Sequence, residues 1–275
     1  MAEETPLTSL TNPRVKRIVR LRKARERKRE DVLLAEGYRE VGRAAAAGLE
    51  VVEWFACREL IQKAGLPEGI GLEPTWVSEP VLAKMAYHDR PEGVLAVFRA
   101  PSWSLDDLAP SSTEDIGSLY LVAVGTEKPG NLGAMVRTAA VAGCAAVLAV
   151  GPAVEVFNPN AIRNSTGAVF SLPTVVVEDA AEAVAWLQQN NITIAAALAD
   201  GGTDCFQADW AEPANATAVV VGPEHAGLDE TWRDAADAKL TIPQATSGVG
   251  STDSLNASNA AAVLLFEAVR RRSLR

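Results

Sequence analysis

The chain has 275 residues, 48% of them hydrophobic and 22% charged, with a formal net charge of −9. Such a chain can bury the cores of two modest domains, and it is too apolar to be disordered throughout. No apolar run approaches the roughly 18–20 residues of a bilayer span, and the opening Met1-Ala2-Glu3-Glu4 lacks a signal-peptide core.

Cys57, Cys144 and Cys205 are odd in number and scattered, so a disulfide framework is not expected and a reducing, cytoplasmic setting is. His88 and His225 have no ligand spacing to any cysteine, so no metal site is expected. The charge is uneven. Residues 1–30 hold ten Lys/Arg against four acids, a net +6, while the rest of the chain is −15. A basic arm on an acidic protein grips a polyanion only locally, because attraction decays within a Debye length of about 8 Å at physiological salt. Two readings of the arm stand open: a nucleic-acid contact, or a solvated charged helix.

In chain order, 13–30 reads as one basic helix with a thin apolar face at Val15, Ile18, Val19 and Leu21. Strands are predicted over 31–36, 51–56, 75–77 and 94–98, with helices over 38–47, 58–65 and 79–85. Alternating elements of this size describe a small α/β domain over 1–100, and the Ser/Asp/Pro-rich stretch 101–116 reads as a linker. From 117 to 275 the texture changes. Continuous apolar runs at 119–124, 145–150, 175–177, 192–198, 217–221 and 239–242 read as strands buried on both faces. Helical patterns at 132–142, 180–189 and 229–236 lie between them, and a long apolar helix over 255–271 ends the chain. This is a parallel α/β domain, and such sheets place ligands at the carboxyl ends of their strands.

Three loops carry the unusual residues. The first runs Gly125-Thr-Glu-Lys-Pro-Gly-Asn-Leu-Gly through Arg137, where Gly130 and Gly133 permit a tight turn and Asn131 can cap a helix. The second is Gly222-Pro-Glu-His-Ala-Gly-Leu, and the third runs from Ile242-Pro-Gln to Ser254-Leu-Asn. Singly, each has a plain reading: a βα turn, a surface arginine, a first-turn acid at Glu224, a helix cap at Ser254. The first loop lacks the full G-x-G-x-x-G of a dinucleotide fold, and no nucleophile elbow or P-loop is present.

Together, in this order, Gly130-Asn131-Leu-Gly133…Arg137, Gly222-Pro-Glu224…Gly227-Leu228 and Ile242-Pro243…Ser254-Leu255-Asn256 resemble the three motifs of the SpoU/TrmH family, RNA ribose 2′-O-methyltransferases of the SPOUT class. The resemblance covers 117–275 and includes the segment 158–173, while 13–100 is similar to the ribosomal-protein-like RNA substrate-binding domain often placed ahead of it. It differs in the Gly/Ser/Thr-rich insertion 246–252, in Gln244 where Met is common, and in Asn259.

The resemblance implies a parallel sheet closed by a deep trefoil knot, which no spacing argument foresees. It implies S-adenosylmethionine as cofactor, held by Ala199, Gly222, Ile242 and Leu255, and a catalytic set of Asn131, Arg137, Glu224, Ser254 and Asn256, with Glu224 as the natural partner of Arg137. It also implies a homodimer, for which the stripe Leu255, Ala262, Leu265, Phe266 and Val269 is suited, although ordinary core packing explains that stripe equally. Ribosomal RNA is favoured as substrate. The alternatives are tRNA and a non-catalytic RNA-binding protein that kept the fold.

Overall fold

The computed structural model describes residues 5–61, 65–108, 118–151, 155–211, 215–244 and 255–273. Helix α1 (Pro13–Leu21) starts where the Asn12 side chain accepts from the Arg14 N–H and Pro13 presets φ. The single helix expected over 13–30 is broken at Arg22 and Lys23 and resumes as α2 (Ala24–Glu30). Val15, Ile18 and Leu21 bury one face of α1, whereas α2 buries only Arg27, so no common apolar stripe holds the two in line. There follow β1 (Val32–Glu36), α3 (Tyr38–Ala46), β2 (Val51–Ala56), α4 (Arg58–Ile61), β3 (Thr75–Trp76), α5 (Glu79–Met85) and β4 (Val94–Arg99). The predicted linker contains a 3₁₀ turn, Leu105–Asp107, closed by a capping box between Ser104 and Asp107.

Next come β5 (Leu119–Val124), α6 (Pro129–Val141), β6 (Ala146–Val150), α7 (Pro159–Asn164), a 3₁₀ turn Ala168–Phe170, β7 (Thr174–Val177) and α8 (Ala180–Gln189). The chain continues through β8 (Thr193–Ala197), β9 (Thr203–Asp204), β10 (Thr217–Val221), α9 (Glu230–Ala235), β11 (Ala238–Thr241) and α10 (Ala257–Ser273). The sequence reading misses the short α7 and β9, which are below the length at which periodicity speaks.

The chain divides into two units. The first, Met1–Pro101 with Phe157–Ser171, holds a four-stranded sheet in the order β1-β4-β2-β3. β4 is antiparallel to both β1 and β2, and β3 joins β2 in parallel. Val15, Ile18, Leu33, Phe55, Leu82 and Leu95 are among its buried apolar side chains. Within this unit the Arg43 guanidinium donates to the Thr166 hydroxyl at 2.8 Å and to the Thr166 carbonyl, and Arg163 faces Glu92 at 3.5 Å. These bonds, with α7 set against β1, explain why 157–171 groups with residues far from it in sequence.

The second unit, Ser102–Val156 with Leu172–Arg275, is built on a seven-stranded sheet, β7-β6-β5-β10-β8-β11-β9, parallel at every pairing. Its central strands are buried along their length, as the unbroken apolar runs require. The order reverses beside β5, where β6 and β7 lie on one side and β10 and β8 on the other. α10 packs on α6 and β10. On α10 the predicted stripe divides: Leu265 is fully buried, Phe266 is 46% exposed, and Ala262 and Val269 are half-buried.

One buried acid secures the end of α10. Glu267, 4% exposed, receives two bonds from Arg270 and one from Arg271, each 2.7 Å, and Arg271 also donates to the Phe206 carbonyl at 2.9 Å. The bonds from Arg270, reinforced by Arg271, hold the Glu267 carboxyl below the usual carboxylate range against the opposing pull of burial. A depressed carboxyl stabilises the fold above its unfolded value of about 4.3, and that stability fades as pH falls through the lower folded value. Glu267→Gln is therefore expected to cost about 1–3 kcal/mol at neutral pH, with the deficit closing in acid, as read by urea unfolding over a pH series.

Candidate active site

The carboxyl ends of β8, β10 and β11 converge next to the order reversal, where an open parallel sheet leaves a crevice. A cavity of about 320 Å³ lies there. It is lined by 197–199 at the end of β8, by 221–228 at the end of β10 and in the loop beyond it, and by Leu240, Ile242 and Gln244 at and beyond the end of β11. Leu255, Ala257 and Ala260 close it from the start of α10. The lining is mainly aliphatic side chain and bare backbone. Among the described lining residues, three are ionisable: Glu224, His225 and Arg233.

Glycine shapes this cavity. A Cβ on Gly222 would lie 2.9 Å from the Gly227 carbonyl carbon and from the Leu228 nitrogen, both backbone atoms that cannot yield. The loop after β10 thus folds back onto its own beginning. Gly125, at φ +57°, seats its backbone against Pro223 and donates its N–H to the Val150 carbonyl at 2.8 Å. That brings the loop after β5 against the loop after β10.

Glu224 joins the loops. Its Oε1 accepts from the Asn131 amide at 2.9 Å, from the Asn256 amide, and from the Ala257 N–H at 3.4 Å. Asn256 also donates to Asn131 Oδ1 at 3.4 Å, and Lys128 lies 3.7 Å from Glu224 Oε2. The Asn256 Oδ1 accepts from the Ser258 N–H at 3.0 Å and from the Ser258 hydroxyl, so the residue that starts α10 also bridges to Glu224.

Of the residues singled out by sequence, Ala199, Gly222, Ile242 and Leu255 all line the cavity, and Asn131, Glu224 and Asn256 form one hydrogen-bonded cluster whose Glu224 reaches it. Ser254 and the insertion 246–252 lie outside the described residues. Two expectations are corrected. α6 begins at Pro129 with Lys128 as its cap, so Gly130, Asn131 and Gly133 lie within the helix, and the Asn131 side chain turns to Glu224 instead of capping. Nor is Arg137 the partner of Glu224. Six residues beyond Asn131, it points about 120° away around the helix axis. It is exposed, does not line the cavity, and makes no hydrogen bond or ion pair among the described residues. The sequence reading also misses Lys128 and Arg233, because a lone charge in a loop or short helix carries no pattern.

Residues 118–266 match the SpoU rRNA methylase family, and residues 12–96 match the MRM3-like substrate binding domain. The chain is 35% identical over 190 residues to a 23S rRNA (uridine(2479)-2′-O)-methyltransferase of Streptomyces viridochromogenes. That alignment spans 67% of this chain and 62% of the Streptomyces enzyme, less than two thirds of its length. A crystal structure of an RNA 2′-O ribose methyltransferase superposes with a TM-score of 0.80 at 37% identity, covering 98% of this chain and all of that one. The AdoMet-bound rRNA methyltransferase from Sinorhizobium meliloti superposes with a TM-score of 0.82 at 27% identity, covering 97% of each chain.

Two glycine substitutions should move stability in opposite directions. Gly222→Ala drives a methyl group into backbone and is expected to lower the melting temperature by several degrees. Gly42→Ala, on α3 with its nearest contact an ordinary 3.8 Å, is expected to stabilise by about 0.5–1 kcal/mol. Thermal unfolding of the two variants against the parent checks both signs.

Proposed function

Because the chain belongs to the SpoU rRNA methylase family, we propose that it transfers a methyl group from S-adenosylmethionine to a ribose 2′-hydroxyl of ribosomal RNA. The observation that carries this reading is the cluster of Asn131, Glu224 and Asn256 beside a cavity walled by Ala199, Gly222, Ile242 and Leu255. The fit to the donor rests on shape and lining. The largely aliphatic walls accept the faces of a nucleobase, and Gly222 adds no side chain to them.

When bound, the cofactor supplies an activated methyl on a sulfonium. The chain's part is to align a poor nucleophile with it, and proximity of this kind contributes several kcal/mol. Glu224 Oε1 accepts from three donors, and through them this carboxylate fixes the relative position of the loops. Lys128, 70% exposed beside Glu224, sits where it can meet a phosphate. The five donors of the Arg137 guanidinium suit the phosphate flanking the target ribose. Ser254 completes the set.

The protein works as a homodimer in this reading. Val141, 71% exposed on α6 one turn beyond Arg137, and Phe266, 46% exposed, are apolar side chains on two helices that pack together, and a second copy covering them brings Arg137 to the subunit boundary. The sheet order supports a trefoil knot: β10 inserts between β5 and β8, and the chain then crosses to β11 on the far side of β8. A cytoplasmic setting agrees with three free, buried cysteines. Burial pushes the Cys144 thiol up to about 12 and the Cys57 thiol up to about 11, which leaves both unreactive. Among the described residues no helix is long and apolar enough to cross a membrane.

Glu224→Ala is expected to lower methyl transfer to ribosomal RNA by about a hundredfold through lost alignment, with a much smaller change in donor affinity by calorimetry. Equal loss of both would make Glu224 a purely structural residue. Arg137→Lys keeps the charge, loses the planar fork, and is expected to lower turnover strongly; near-parental turnover would remove the positioning role. Primer extension at low dNTP on ribosomal RNA, with and without the gene, locates the modified ribose as a new pause. Neutralising the exposed Arg20 and Arg25 together with Arg29 is expected to flatten the salt dependence of RNA binding by about 0.7–0.9 log units per lost phosphate contact.

A further inference from the structure

We infer that Arg233 is the residue that binds the α-carboxylate of the methyl donor; this rests on the donor reading above. S-adenosylmethionine carries, besides its adenosine, a carboxylate and an ammonium at the methionine end. Of the ionisable groups on the cavity wall, Glu224 is an anion committed to Asn131, Asn256 and the Ala257 N–H, and repels a carboxylate. Among the described residues, Arg233 is the arginine on that wall, and its fork matches a carboxylate.

Its guanidinium is held in place before any ligand arrives. Nε donates to the Leu228 carbonyl at 2.8 Å, and the backbone of α9 is anchored by the fully buried Trp232 and capped by Asp229, which accepts from the Trp232 N–H. The terminal nitrogens make no hydrogen bond or ion pair among the described residues. The Cβ position at Gly227 is 4.0 Å from Arg233 Nη2, so the guanidinium hangs over the turn that closes against Gly222. Arg233 is exposed, yet a fork fixed through its Nε loses little rotamer freedom on binding a carboxylate bidentately.

The test is calorimetric titration of the full chain with S-adenosylmethionine and with its decarboxylated analogue, which keeps the adenosine, the sulfonium and the amine. The parent is expected to bind the complete donor about ten- to a hundredfold tighter than the analogue. Arg233→Ala is expected to bind both alike, at the parent's affinity for the analogue, which also shows that the cavity is intact. Arg233→Gln keeps a donor for the Leu228 carbonyl and is expected to behave the same way, so it serves if Arg233→Ala misfolds. A variant that still prefers the complete donor tenfold or more overturns the inference. So does a variant with unchanged donor affinity and weakened RNA binding, which would assign the guanidinium to an RNA phosphate. A parent chain that binds neither compound overturns the donor reading itself, an outcome separate from these.

Discussion

The Glu224 carboxylate holds together what the chain keeps apart. Its Oε1 accepts from Asn131, 93 positions earlier, and from Asn256, 32 positions later, and so pins the start of α6 and the start of α10 to the loop after β10. Amide donors to a carboxylate give charge-assisted bonds, stronger than neutral ones, and the side chain is only 20% exposed. A loop that must stay open for a ligand cannot be fixed by apolar packing through its middle. Polar bonds at its rim fix it without filling it.

The sheet determines where that rim lies. Central parallel strands buried on both faces leave ligands no room except at their ends, and the reversal between β5 and β10 opens the crevice at the carboxyl end. Glycine then sets its size: Gly222 lets the loop after β10 double back, and Gly125 lets the loop after β5 lie against Pro223. Among the described residues the cavity wall is consequently mostly backbone and aliphatic side chain, with its charge at Glu224 and Arg233. A mostly uncharged wall suits adenosine, and the two charges suit the zwitterionic end of an amino acid.

The first unit follows a different logic. Its mixed sheet buries a compact apolar core, and the positive charge of residues 13–30 is displayed on two short helices instead of one. Part of that charge is spent internally. Arg17 is bonded to Glu30 and Glu53, Arg14 to Glu53 and Thr75, and the fully buried Arg27 donates to the Leu21 carbonyl. Arg20, Arg22, Lys23, Arg25 and Lys28 remain exposed. A count of charges in the sequence therefore overstates what a polyanion meets.

Much was legible in the sequence. Unbroken apolar runs such as 119–124 and 217–221 declared buried parallel strands, because only a strand covered on both faces has no polar side to show. The glycine and asparagine spacing of the three loops marked the residues around the cavity, since close backbone approach restricts residue type at each point. What the sequence could not decide was direction and partnership. Whether Glu224 meets Arg137 or the two asparagines depends on the 120° between Asn131 and Arg137 around α6, and on which loops the strand order brings together. The union of 157–171 with the first unit, the division of the α10 stripe between core and surface, and the placing of Arg233 over Gly227 were likewise decided by tertiary structure. Local sequence fixes the conformation a segment prefers, while contacts between distant segments are chosen only when the whole chain packs.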